Sequence, residues 1–129
     1  MLPWISKEDR NNNVRRLAFI TDRFYRHNII SIICAINPYE EIRKEIEGRY
    51  GDVKTIYIKC PLGELTKRDT KGLYAKALLP EGNINKITNL SGVNDHFESP
   101  ERPDLIIETD KETIPESSTK LTTFIESNI

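Results

Sequence analysis

Apolar residues return at three- and four-residue steps early in the chain, at Val14, Leu17, Ala18, Thr21, Phe24 and Tyr25. That spacing predicts a helix with one apolar face over residues 6–28. Ser6 is a candidate N-cap, Asp9 sits where a capping box needs its acidic partner, and Asn28 can end the helix. The pattern then changes. Residues 29–36, IISIICAI, hold almost no polar side chain. The run is short and rich in isoleucine, and predicts a strand buried on both faces rather than a helix. A second helix follows, with Asn37 as N-cap, Pro38 at its first position, early glutamates, and Gly48 or Gly51 as its stop. Residues 53–60 predict a second strand, Pro61 opens a short helix, and KGLYAKAL adds a further helical turn or two. Residues 78–103 carry no period and form a long loop, the kind that serves as a lid or a binding loop. DLIIETD predicts a third strand, and IPESSTKLTTFIESNI a closing helix.

Strands alternating with helices imply a parallel sheet, the α/β class, here with about three strands flanked by helices. Ligands of such sheets sit beyond the carboxyl ends of the strands, here INPY, CPLGELTKRD and ETDKET.

Composition narrows the partners. With 129 residues the chain is one domain, 1–129, with a thin core. Nineteen basic against twenty acidic residues leave a net charge of −1, so no global field draws a nucleic-acid polymer or a membrane surface. Any anion site must be a local cluster. Cys34 and Cys60 lie in apolar runs and are expected to be buried small hydrophobes of a reducing compartment; with only His27 and His96 beside them, a structural zinc site is not expected. Both histidines are expected at the surface. There is no signal-peptide pattern, and the cytoplasm is the expected location.

Local charge does cluster after the second strand, at Lys67, Arg68, Lys71 and Lys76, interleaved with Asp69, Gly72 and Tyr74. Taken with EDRNNNVRR, INPY, RDTKGLYAKA, SGVND and FESPERPDLIIETD, in that order, this stretch resembles the adenylylsulfate kinases, P-loop kinases that move the ATP γ-phosphoryl group to the 3′-hydroxyl of adenosine 5′-phosphosulfate. The resemblance runs from about Trp4, expected at the entrance of the acceptor site or as an anchor of the N-terminus, to the last helix. It implies ATP and Mg²⁺ as cofactors, a nucleotide substrate and, through exposed strand edges, a homodimer. It assigns Arg10, Asn13, Ile36, Asn37, Lys71, Leu73 and Leu90 to substrate binding, and Arg68, Lys76 and Thr109 to the nucleotide and lid side. Chemistry agrees with these types: a forked cation suits a phosphate–sulfate anion, an amide suits an adenine edge, and a planar guanidinium suits a purine face.

The departures are as specific. The family's G-x-x-G-x-G-K-[ST] loop, which cradles phosphates and holds Mg²⁺, has no counterpart among Gly48, Gly51, Gly63, Gly72, Gly82 and Gly92. The sequence reads as though it begins partway through the family's fold. In that fold the absent first strand lies between those corresponding to 29–36 and 53–60, so both are expected to lack a neighbour here. Turnover by these residues alone is expected to be negligible, with no catalytic residue assigned. Asn37 stands for a serine, Leu90 for a stacking aromatic and Leu78 for a lid arginine, and residues 78–89 form a longer segment. These changes open two alternatives: a related kinase with another acceptor, such as a cytidine diphosphoramidate, or a non-catalytic nucleotide-binding remnant.

Overall fold

The computed structural model describes residues 6–129; Trp4 lies outside the described residues. Among the described residues, seven elements follow one another: α1 (Lys7–Tyr25), α2 (Glu40–Arg49), β1 (Ile56–Lys59), α3 (Leu62–Arg68), α4 (Leu73–Ala77), β2 (Leu105–Glu108) and α5 (Ile114–Glu126). β1 and β2 pair in parallel, with Ile56 opposite Leu105 and Lys59 opposite Glu108. The fold is therefore α/β, as the alternation predicts. Residues 78–103 contain no helix or strand beyond one isolated bridge between Ser91 and Asp95.

Where the helices start is decided locally. Ser6 Oγ accepts the Asp9 N–H at 3.1 Å while the Asp9 carboxylate accepts the Ser6 N–H at 3.0 Å, so the capping box is complete. Asn28 takes a left-handed conformation, with φ of 57°, just beyond the last turn. Thr113 and Glu116 repeat the capping box at α5.

α2 differs from expectation. It begins at Glu40, not after an Asn37 cap, and Tyr39 at its N-cap makes no side-chain bond. The cap comes from another part of the chain: the Glu98 carboxylate accepts the Glu40 N–H at 2.5 Å. Gly48 lies inside the helix, and the chain turns at Tyr50 and Asp52.

The core sits where α1 meets α2. Val14 and Ala18 pack with Tyr39, Ile42 and Ile46, and Tyr50 and Val53 close the edge. Ile42 is fully buried. Arg43 is buried beside it, donating to Glu40 at 2.7 Å and to the carbonyls of Asn37 and Glu98 at 2.5 and 2.6 Å. One side chain thus joins α2, the segment before it and the 78–103 loop.

The run 29–36 is not a strand. It has no ladder partner, and Ile29, Ile30, Ile32, Ile33 and Ile36 are all exposed, Ile32 to 65%. The sheet has two strands where about three were expected. A strand's backbone groups need a neighbour, and none of the described residues supplies one for this run. Cys34 is exposed for the same reason, which corrects its expected burial; Cys60 is half-buried. His27 and His96 are exposed. No helix among the described residues is long and apolar enough to cross a membrane.

Candidate functional site

Two sets of predicted residues come together, the first through the long loop. The first gathers at the N-terminal turns of α1. Arg10 Nη1 donates to Ser91 Oγ at 2.7 Å, Nη2 donates to the Asn89 carbonyl at 2.8 Å, and Nη2 also meets the Asp95 carboxylate at 3.0 Å. These acceptors flank Leu90, which is buried. Helix α1 thereby holds the loop segment that bears Leu90. Asn13 lies one turn further along α1 and is exposed. Its neighbour Asn11 is buried and donates to Glu41 at 3.0 Å, a structural tie between α1 and α2.

The loop has its own frame. The Leu90 carbonyl accepts from the N–H groups of Val93, Asn94 and Asp95, and the Gly92 N–H donates to the Asp95 carbonyl at 2.8 Å. Gly92 has φ of 82°, which L side chains rarely adopt, so this tight turn depends on a glycine. The Asn94 amide donates to the Ile87 carbonyl at 2.5 Å and to the Ala77 carbonyl at 3.3 Å, while its oxygen accepts the Leu90 N–H at 2.9 Å. Asn94 therefore connects the end of α4 to the Leu90 turn.

On the α4 side, the Asp69 carboxylate accepts the N–H groups of Tyr74 at 3.0 Å and Ala75 at 2.9 Å. The Ala75 N–H above all, helped by those of Tyr74 and Leu73, holds the Asp69 acid below the usual carboxylate range. Asp69 thus satisfies the first N–H groups of α4. Lys71 precedes Gly72, whose φ is 64°, and Lys71 and Lys76 are exposed with no ion pair among the described residues. Leu73 opens α4 and is half-buried.

The second pairing joins α3 to the end of β2. Arg68 donates through Nη2 to the Thr109 carbonyl at 2.6 Å and through Nη1 to Thr109 Oγ1 at 3.2 Å. The Thr109 N–H donates to the Lys59 carbonyl at 3.0 Å, continuing the parallel ladder. Arg68 thus stands beyond the carboxyl ends of both strands, where a ligand of a parallel sheet is expected.

Ile36 and Asn37 are not joined to either set. Ile36 is exposed, because the run that carries it has no sheet to enter. Asn37 uses its carbonyl on Arg43, and its side-chain oxygen is buried without a partner among the described residues. A cleft of about 350 Å³ is lined by Glu40, Arg43, Lys44, Glu47, Thr55, Pro100, Glu101 and Arg102, none of them a predicted site residue.

Sequence reasoning missed Asp69, Asn89, Asn94, Asp95 and Glu98. Asn and Asp beside glycine in SGVND and TKRDTKG signal side chains that bond to nearby backbone, and that signal could have found Asp69 and Asn94. Among the described residues, no three histidine, cysteine or acidic side chains are placed to hold a metal ion. With no G-x-x-G-x-G-K-[ST] in the sequence, the residues present do not fit a Mg²⁺–triphosphate cradle.

A family model described as adenylylsulphate kinase matches residues 3–108. An adenylyl-sulfate kinase of Microcystis aeruginosa is 39% identical over 116 residues, covering 90% of this chain and 61% of the relative. One from Picosynechococcus sp. is 40% identical, covering 90% of this chain and 63% of its own length. One from Halothermothrix orenii is 38% identical over 121 residues, 94% of this chain and 63% of the relative. The chain spans about three fifths of the length of these relatives.

Proposed function

This chain belongs to the adenylylsulphate kinase family, and on that premise we propose that its residues supply the acceptor-nucleotide and lid side of a site for ATP-dependent 3′-phosphorylation of adenosine 5′-phosphosulfate. The observation that carries the reading is the Arg10 contact. It joins two family-like segments, EDRNNNVRR and LSGVND, that lie about eighty positions apart in sequence. In this reading Arg10 meets the anionic group of the acceptor and Asn13 offers an amide to its base. Leu90 supplies an apolar wall. Lys71, Leu73 and Lys76 on the lid close over the nucleotides, excluding water that would otherwise take the phosphoryl group. Arg68, held by Thr109, presents its planar guanidinium on the ATP side. ATP and Mg²⁺ would supply the transferred group and its charge neutralisation, and no residue of this chain is assigned to holding the metal.

Leu90 favours a second reading. It replaces a π-stacking aromatic by an aliphatic side chain, and Leu78 and Asn37 also depart from the family. A nucleotide other than an adenylylsulfate, such as a cytidine diphosphate compound, is then the acceptor.

Thermal-shift titration distinguishes these readings. Stabilisation by adenosine 5′-phosphosulfate, lost in Arg10→Met, is the expected result. Stabilisation by a cytidine diphosphate compound alone supports the second reading, and stabilisation by neither leaves no acceptor role to this chain. In a coupled ADP-release assay the 129 residues alone should show negligible turnover. Rates of about 1 s⁻¹ or more, ordinary for kinases, would mean that another part of the chain replaces the phosphate cradle.

A further inference from the structure

Arg10 already has an anion. Its Nη2 shares two acceptors, the Asn89 carbonyl and the Asp95 carboxylate, and its Nη1 is bonded to Ser91. Of these three acceptors only Asp95 carries charge. The pair is sheltered: the Arg10 side chain is 13% exposed and that of Asp95 29%, so water and salt screen it less than a surface pair. The acid on the same turn of α1, Asp9, is occupied by Ser6. Meanwhile the Arg10 Nε is buried with no partner among the described residues. A buried N–H without an acceptor is uncommon, and here it belongs to a guanidinium whose Nη2 is engaged by an internal carboxylate. The loop that brings Asp95 is framed by Asn94 and the Leu90 carbonyl, not by Arg10, so it can hold its shape when the ion pair opens.

We propose that Asp95 is the internal counter-anion of Arg10 and sets the affinity of the site for its anionic acceptor: a phosphate or sulfate group reaches Arg10 by displacing this carboxylate. The inference deepens the reading above and rests on Arg10 being the cation that meets the acceptor. Nη2 has two hydrogens, and the Asn89 carbonyl and the Asp95 carboxylate take both, so an incoming anion at Nη2 competes with Asp95. Acceptor binding therefore carries the cost of breaking the Arg10–Asp95 pair, offset by the new charge-assisted bonds and by an oxygen for the orphaned Nε. An amide at position 95 keeps an acceptor of the same shape and removes the competing charge. It should make binding tighter, whereas loss of a purely structural contact would not.

The test is calorimetric titration of adenosine 5′-phosphosulfate, with uncharged adenosine as comparator, into the wild-type chain, Asp95→Asn, Arg10→Met and the double variant. Asp95→Asn should lower the Kd for the phosphosulfate about tenfold, the size of one charge-assisted hydrogen bond. Adenosine binding should be unchanged, and the gain should vanish in the double variant. If Asp95→Asn does not fold, Asp95→Ser carries the same comparison. Equal or weaker binding by the position-95 variant, with Arg10→Met still defective, overturns the counter-anion role and leaves Arg10 as the acceptor's cation. If Arg10→Met binds as well as wild type, or no variant binds at all, both readings fall.

Discussion

The α1–α2 unit closes a core over one face, although Phe19, Ile20, Phe24 and Tyr25 of α1 stay exposed, whereas the strand layer buries little of its apolar sequence. In the first, Val14, Ala18, Tyr39, Ile42 and Ile46 form one closed cluster, and the 89–98 segment is fastened to it through Arg10, Arg43 and Glu98. In the second, Ile107 is buried, but Ile58 is 57% and Ile106 41% exposed, and the isoleucines of 29–36 have no cover among the described residues. A helix meets its own backbone hydrogen bonds and needs cover on one face only. A strand needs a neighbour for its backbone before its side chains can help. Apolar content alone therefore did not make 29–36 a strand.

The comparison is broken most directly at Arg43. Replacing it with methionine removes the charge that Glu40 and two carbonyls share, and breaking a buried pair of this kind costs about 3–5 kcal/mol. Urea unfolding should show a loss of that size, and a loss below about 1 kcal/mol would mean that the unit is not held as described.

Acid should act next, and at a defined place. The Glu98 acid is held below the usual carboxylate range, first by the Glu40 N–H and then by His96 and the charge of Arg43. A lowered carboxylate contributes stability above its ordinary value of about 4.3 and loses it as pH falls through the folded value. The tie between α2 and the loop should therefore weaken below about pH 4.3. The Glu40 amide shift should titrate with Glu98 in that window, and Glu98→Gln should abolish the titration.

The smallest expected effect sharpens the contrast from the other side. Ile32 is 65% exposed, so Ile32→Asn should change stability by no more than about 0.5 kcal/mol. A loss of several kcal/mol would show that another strand or a second copy covers the run in solution.

Sequence by itself determined what depends on near neighbours: the Ser6–Asp9 capping box, the αL stop at Asn28, the helical α1, α3 and α5, and the apolar runs that become β1 and β2. It also named Arg10, Leu90, Arg68 and Thr109 as site residues, through resemblance. Tertiary structure decided the rest. It capped α2 with Glu98 instead of Asn37, gave Arg10 the turn around Leu90, joined Arg68 to Thr109, and left Ile36 and Cys34 outside any sheet. The reason is one of range. A cap or a turn is settled within a few bonds of the residue that makes it, whereas a strand, an ion pair or a borrowed cap exists only if folding brings a distant partner into place.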